Sequence, residues 1–191
     1  MNPLSIAATF ALTVLAVIVV FLVVTTYNSI VGLIQRIDKA WANIDVSLRQ
    51  RHDELPNLVS AVRGIMSLEQ TVFEEVARRR AEYRPTAPIP DQAATSEATS
   101  AAVRSLFAVV ERYPALLSQH NVAALQAEIA RLEGIIADRR ELYNDSVYLY
   151  NTRIAQVPAV LVAWLFAWKP RPLFTAEPGD TVRPDVDLRF H

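Results

Sequence analysis

The 191-residue chain has no cysteine, only 4 glycines and no charged side chain before Arg36. Without cysteine there is no disulfide framework and no thiol nucleophile, and a zinc or iron–sulfur centre loses its usual ligands. Scarce glycine and long proline-free stretches withhold the turn chemistry that an all-β fold needs every ~8–12 residues. An all-α chain is therefore expected. A formal net charge of -1 and a pI near 6.3 lack the basic footprint of a nucleic-acid binder.

What the first 35 residues lack in charge they hold in apolar length. Leu4 to Val24 reads LSIAATFALTVLAVIVVFLVV, 21 residues, enough at ~1.5 Å per residue to cross a hydrocarbon core of ~30 Å. A cleavable signal peptide would have a positive n-region and a shorter apolar stretch. The expectation is instead an uncleaved transmembrane anchor over residues 1–26. No Lys or Arg precedes it, whereas Arg36 and Lys39 follow it, which predicts an outside N-terminus and a cytoplasmic bulk domain.

Beyond the anchor, Ile30, Ile34, Ile37, Trp41, Ile44 and Leu48 are spaced 4, 3, 4, 3, 4, the coiled-coil pattern of a helix packing on helices. This predicts a first helix over 27–52, continuous with the anchor. Asp53 and Pro56 suggest a break, with Asp53 capping a second helix over 55–83 and Pro56 in its first turn. Its stripe is Leu58, Val62, Ile65, Val72 and Val76, with Glu69 on the same face. Three prolines in RPTAPIPD (84–91) make a loop. The Ala, Ser and Thr residues of 92–103 suit either a frayed helix start or more loop. Val103, Leu106, Phe107 and Val110 give a third helix, about 92–118, halted around Tyr113-Pro114 or, if it restarts, near His120. The fourth, 121–157, is the most regular: Val122, Leu125, Ile129, Leu132, Ile136, Tyr143, Val147, Tyr150, Ile154 and Val157 hold a helical period that Arg139 interrupts.

Four amphipathic helices with short connections predict an antiparallel up-and-down four-helix bundle over 27–157. That topology returns the end of the fourth helix to the membrane side. There stands PAVLVAWLFAW (158–168), too short to span, with Trp164, Phe166 and Trp168 followed by Lys169 and Arg171. Aromatics beside basic residues suit the headgroup boundary, and covering the open end of the bundle is the alternative. The remainder to residue 191 reads as an extended tail, ending in the alternation Val182, Val186, Leu188, Phe190.

Certain stretches resemble the LemA family of single-span bacterial membrane proteins: YNSIVGLIQRIDKAWANIDVSLRQRHDELPNLVSAV, ERYPAL, ADRRELYNDSVYLYN and VPAVLVAWLFAWKP. The motif positions are Tyr27, Asn28, Trp41, Asp45, Pro56, Asn57, Tyr143, Asn144, Tyr150 and Asn151. Met66-Ser67 and Trp168 depart from the family pattern at packing positions. The resemblance implies an N-terminal anchor, a cytoplasmic four-helix bundle and no established catalytic activity; one relative serves in magnetosome formation.

Candidate chemistry is thin. His52, at the expected helix end, His120 and His191 have no carboxylate at the offsets that build helical metal sites. Glu74-Glu75 reads as a solvated face, and no phosphate loop or nucleophile elbow is present. No enzyme, cofactor or small-molecule substrate is expected. Glu69 and Arg139 each occupy a core-facing slot, so a core ion pair is one reading and drift to the boundary the other. Tyr-Asn recurs at Tyr143-Asn144 and Tyr150-Asn151, and the asparagines are expected to hydrogen-bond between helices, with Asn151 and Asn28 near each other. The functional expectation is a non-enzymatic scaffold at the cytoplasmic face of a bacterial inner membrane, with lipids and protein partners or a homo-oligomer. A membrane-shaping protein and an accessory subunit of a membrane protease are the alternatives.

Overall fold

The computed structural model describes residues 3–63, 70–113 and 120–175, and these form five α-helices and no strand. They are α1 (Pro3–Arg63), α2 (Gln70–Ala81), α3 (Ile89–Glu111), α4 (His120–Ala155) and α5 (Ala159–Leu165). Glu69, Ile65, Met66-Ser67, Pro114, His191 and the alternation from Val182 to Phe190 lie outside the described residues.

The expected break at Asp53–Pro56 is absent, and α1 is one helix with Pro56 inside it. The apolar pattern explains why: Arg51, Leu55, Leu58 and Val62 prolong the same 3-and-4 alternation, and all four side chains are buried. A helix-interior proline removes the hydrogen bond to the carbonyl four residues earlier, here that of His52. That carbonyl instead accepts from the Arg80 guanidinium Nε of α2 at 3.1 Å. Tertiary structure thus supplies the donor that the proline withholds, and His52 sits within a helix rather than at its end.

The second helix is correspondingly shorter than expected, and α2 buries Phe73 and Val76. In α3 the Ala-Ser-Thr stretch is helical from Ile89, with Pro90 in the first turn, where a missing N–H costs nothing. Ala93, Ser96, Thr99 and Ser100 are buried. Small side chains there admit close neighbours, which is why no bulky apolar residue is needed.

The chain divides into two compact units. One comprises residues 1–40 and 145–171. Its side chains from Ile6 to Leu22 are exposed, although all but those of Thr9 and Thr13 are apolar, and α1 is the one helix among the described residues long and apolar enough to cross a membrane. Its buried side chains include Ile30, Ile37, Val147, Tyr150, Ile154 and Val162. The other unit comprises residues 41–144 and 172–191. Its core draws on four helices: Leu55, Leu58 and Val62 of α1, Phe73 and Val76 of α2, Val103, Leu106 and Val110 of α3, and Val122, Ile129 and Leu132 of α4.

Candidate functional site

Three arrangements of polar and aromatic side chains stand out, and the first is a buried charge network. Arg51 is 4% exposed at a heptad slot of α1. One guanidinium nitrogen donates to Glu133 at 2.8 Å and Ser100 at 2.9 Å, and the other to the Ser96 hydroxyl at 3.0 Å. The Ser100 hydroxyl donates in turn to Glu133 at 2.5 Å. A buried cation needs such saturation, because desolvation removes several kcal/mol of hydration. The sequence reading missed this site. Its one signal was an arginine four residues before Leu55 in an otherwise apolar register.

His52 and Arg80 border the same region. The His52 ring lies 5.1 Å from that of Tyr83, whose hydroxyl donates to Asp45 at 3.4 Å. Among the described residues the buried Nδ1 of His52 has no hydrogen-bond partner. Burial, and then the Arg80 charge, push its pKa below the usual imidazole value, against a smaller opposing pull from Asp53.

The second arrangement is a clamp built twice. In the first unit Tyr150 donates to the Lys169 carbonyl at 3.1 Å, while the Asn151 amide both donates to the Arg171 carbonyl and accepts from its N–H, each at 2.9 Å. In the second unit Tyr143 donates to the Pro172 carbonyl at 3.0 Å, and Asn144 accepts from the Phe174 N–H at 2.8 Å and donates to its carbonyl at 3.4 Å. The asparagines therefore grip the main chain of the segment after α5, rather than another helix. A side-chain amide carries one acceptor and donors in the same geometry as a peptide group, so it satisfies both polar groups of one residue. Burial pushes the Tyr150 hydroxyl up in pKa, against an opposing effect of Arg171. In the second unit Phe174 is fully buried, with Trp41 at 5.9 Å and the Arg140 guanidinium 5.5 Å over its ring.

The third is an aromatic cluster in the first unit. Tyr27 lies 4.8 Å from Phe166 and 5.4 Å from Trp168, which are 5.4 Å from each other. After α5, Ala167 has φ 52°. The Trp168 N–H bonds to the Ala163 carbonyl and the Ala167 N–H to that of Trp164, closing a Schellman motif without glycine.

Of the anticipated interface residues, Trp164 is 83% exposed and Lys169 is exposed, while Arg171 pairs with Asp38 at 2.5 Å. Arg139 is half-buried and gives its guanidinium to the Asn43 carbonyl at 2.5 Å and to the Ser47 hydroxyl. Its suggested partner Glu69 is outside the described residues. Asp45 pairs with Arg49 at 2.8 Å, Asn57 donates to Glu54 at 3.2 Å, and Asn28 is exposed. Glu75 binds Arg78 and Arg79 on the surface. Among the described residues no three His, Cys, Asp or Glu side chains converge where a metal ion could be held.

A model of the LemA family matches residues 40–190. Magnetosome proteins MamQ 2 and MamQ 1 of Paramagnetospirillum magneticum are each 25% identical over 202 aligned positions, covering 90% of this chain and 74% of theirs. Magnetosome protein MamQ of Magnetospirillum gryphiswaldense is 24% identical over 182 positions, covering 81% of this chain and 67% of its own.

Proposed function

The chain belongs to the LemA family, and on that premise we propose that it is a membrane-anchored, non-enzymatic scaffold at the cytoplasmic face of a bacterial inner membrane. In this reading the apolar part of α1 spans the bilayer with its N-terminus outside. The remaining helices form an antiparallel up-and-down four-helix bundle that recruits partners or oligomerises. The observation that carries it is that α1, without interruption, supplies both an exposed apolar stretch and the core residues Leu55, Leu58 and Val62. Anchor and domain then have no linker between them, which suits a device that positions other molecules. The buried polar groups support the same view, since Arg51 is saturated by Ser96, Ser100 and Glu133 and leaves no charge facing a substrate. Arg36 and Lys39 after the apolar stretch support the cytoplasmic orientation.

Crosslinking from single cysteines on exposed positions such as Ala101 and Val46, in native membranes, tests this reading. Capture of a second copy or of a recurring protein partner is expected, and a chain that crosslinks to nothing sinks the scaffold role. Modification of the Ala101 cysteine by an impermeant thiol reagent only after the cells are opened is the expected mark of a cytoplasmic domain.

A second reading is membrane shaping, favoured by the exposed apolar side chains of α5. Reconstitution of the full chain into large vesicles, followed by electron microscopy, separates the two. Shaping predicts tubulation or smaller vesicles, lost on Trp164→Ala; scaffolding alone leaves vesicle shape unchanged.

A further inference from the structure

From Pro158 to Trp168 there is no charged or hydrogen-bonding side chain other than the indoles. Within that run α5 buries Ala159, Val162 and Ala163, yet its outer face is as apolar as its inner one: Leu161 is 67% exposed, Trp164 83% and Leu165 64%. A helix bounded by water presents polar residues outward, so a helix apolar all round has something apolar against its second face. The ring contacts indicate what that is. Tyr27 stands three residues after Val24, the end of the apolar stretch of α1, and its ring packs on Phe166 and Trp168 at the end of α5. The end of α5 is therefore held beside the point where the apolar stretch of α1 ends, which puts an exposed apolar helix face at that level of the chain.

Charge specifies the lipid. Residues 1–40 and 145–171 carry five basic side chains, Arg36, Lys39, Arg153, Lys169 and Arg171, against two acidic ones, Asp38 and Asp145, in a chain whose formal net charge is -1. The unit holding the apolar stretch is thus basic while the remainder of the chain is acidic. Anionic headgroups attract such a surface within a Debye length.

Resting on the anchored reading above, we infer that α5 is a second membrane-contacting element. It lies in the plane of the headgroup–acyl boundary of the leaflet where α1 emerges, with Leu161, Trp164 and Leu165 against the acyl chains of an anionic bilayer. Phe166 and Trp168 act differently from Trp164: with Tyr27 they fasten α5 to the anchor and so fix its depth.

The cysteine-free chain permits a direct test with the full-length protein. Leu161→Cys, Trp164→Cys and Leu165→Cys, each carrying a nitroxide, are reconstituted separately into vesicles of phosphatidylcholine with phosphatidylglycerol. Val17→Cys serves as the bilayer reference and Ala101→Cys as the aqueous one. The ratio of oxygen to water-soluble nickel accessibility is expected to be several-fold higher at all three α5 positions than at Ala101. Nickel accessibility at the α5 positions equal to that at Ala101, with Val17 in lipid, overturns the inference and leaves the anchor standing. Val17 in water overturns the anchored reading itself. In vesicles of phosphatidylcholine alone the α5 ratios are expected to fall, and unchanged ratios overturn the anionic assignment.

Discussion

Arg80 of α2 donates to the main-chain carbonyl of His52, the acceptor that Pro56 leaves without its helical N–H. Two residues 28 positions apart thereby repair a defect inside one helix. Replacing Arg80 by Leu orphans that carbonyl and is expected to cost about 1–3 kcal/mol. In a Pro56→Ala background the N–H returns and the same replacement is expected to cost well under half as much. Urea denaturation of the four chains of this cycle in detergent, followed by circular dichroism, measures the coupling; equal costs in the two backgrounds refute it.

His52 gives the protein an acid-side weakness. Its pKa is lowered in the folded state, by burial first and the Arg80 charge second, from the ordinary imidazole value of 6.5. The unfolded chain therefore takes up a proton that the native imidazole resists. Stability from this group is complete above about pH 6.5 and declines as pH falls through that value toward the folded pKa. Urea midpoints measured between pH 7.5 and 5.5 should fall, and His52→Gln should flatten the trend. That window lies above the range in which Glu75, Glu97 and Glu128, all held below the usual carboxylate value, begin to protonate.

The Arg51–Glu133 pair is expected to be asymmetric to mutation. Glu133→Gln leaves a 4% exposed guanidinium without its anion, and about 3 kcal/mol should be lost; Arg51→Met, which removes the buried charge, should cost less. Combining the two should cost less than the sum of the singles in the same denaturation experiment. Additivity would show the charges to be independent.

Each asparagine of the clamp is expected to act on one amide proton. Asn151→Leu should speed hydrogen exchange at Arg171 by tenfold or more, and Asn144→Leu should do so at Phe174, since each loses its acceptor. An exchange rate unchanged at both positions removes the clamp.

Ala167 occupies the left-handed position that closes α5, at φ 52°. A Cβ there is disfavoured by about 1–2 kcal/mol, so Ala167→Gly should stabilise the chain by up to about 1 kcal/mol after the extra entropy lost by glycine is deducted. Thermal unfolding measures it, and a lower midpoint contradicts the assignment.

Much of this architecture was legible because it repeats. The apolar stretch and α4 declare themselves over many turns, and Ile30, Ile37, Ile44 and Leu48 are buried as their spacing requires. Pro56 was misread because a proline is a local signal, and its remedy, Arg80, belongs to another helix. Arg139 interrupts the α4 stripe as its position suggested, but its partners are a carbonyl and a hydroxyl of α1, groups that leave no pattern in a sequence. The Tyr-Asn repeat marked the right residues and the wrong partner for the same reason: its asparagines address main chain, which every residue possesses. Ser96 and Ser100 suited a frayed helix start or more loop equally well, because small residues are uninformative until the arginine that needs them is known.

The segment held by Tyr150, Asn151, Tyr143 and Asn144 has Pro170 and Pro172 among its residues. The N–H groups used by the asparagines belong to Arg171 and Phe174, so the prolines fall where no donor is called upon. Their missing N–H groups also remove rungs onto which a strand from another molecule would zip. The stretch is docked to its own helix and unfit to template a fibre, so the end of this segment is closed to strand addition from a second copy.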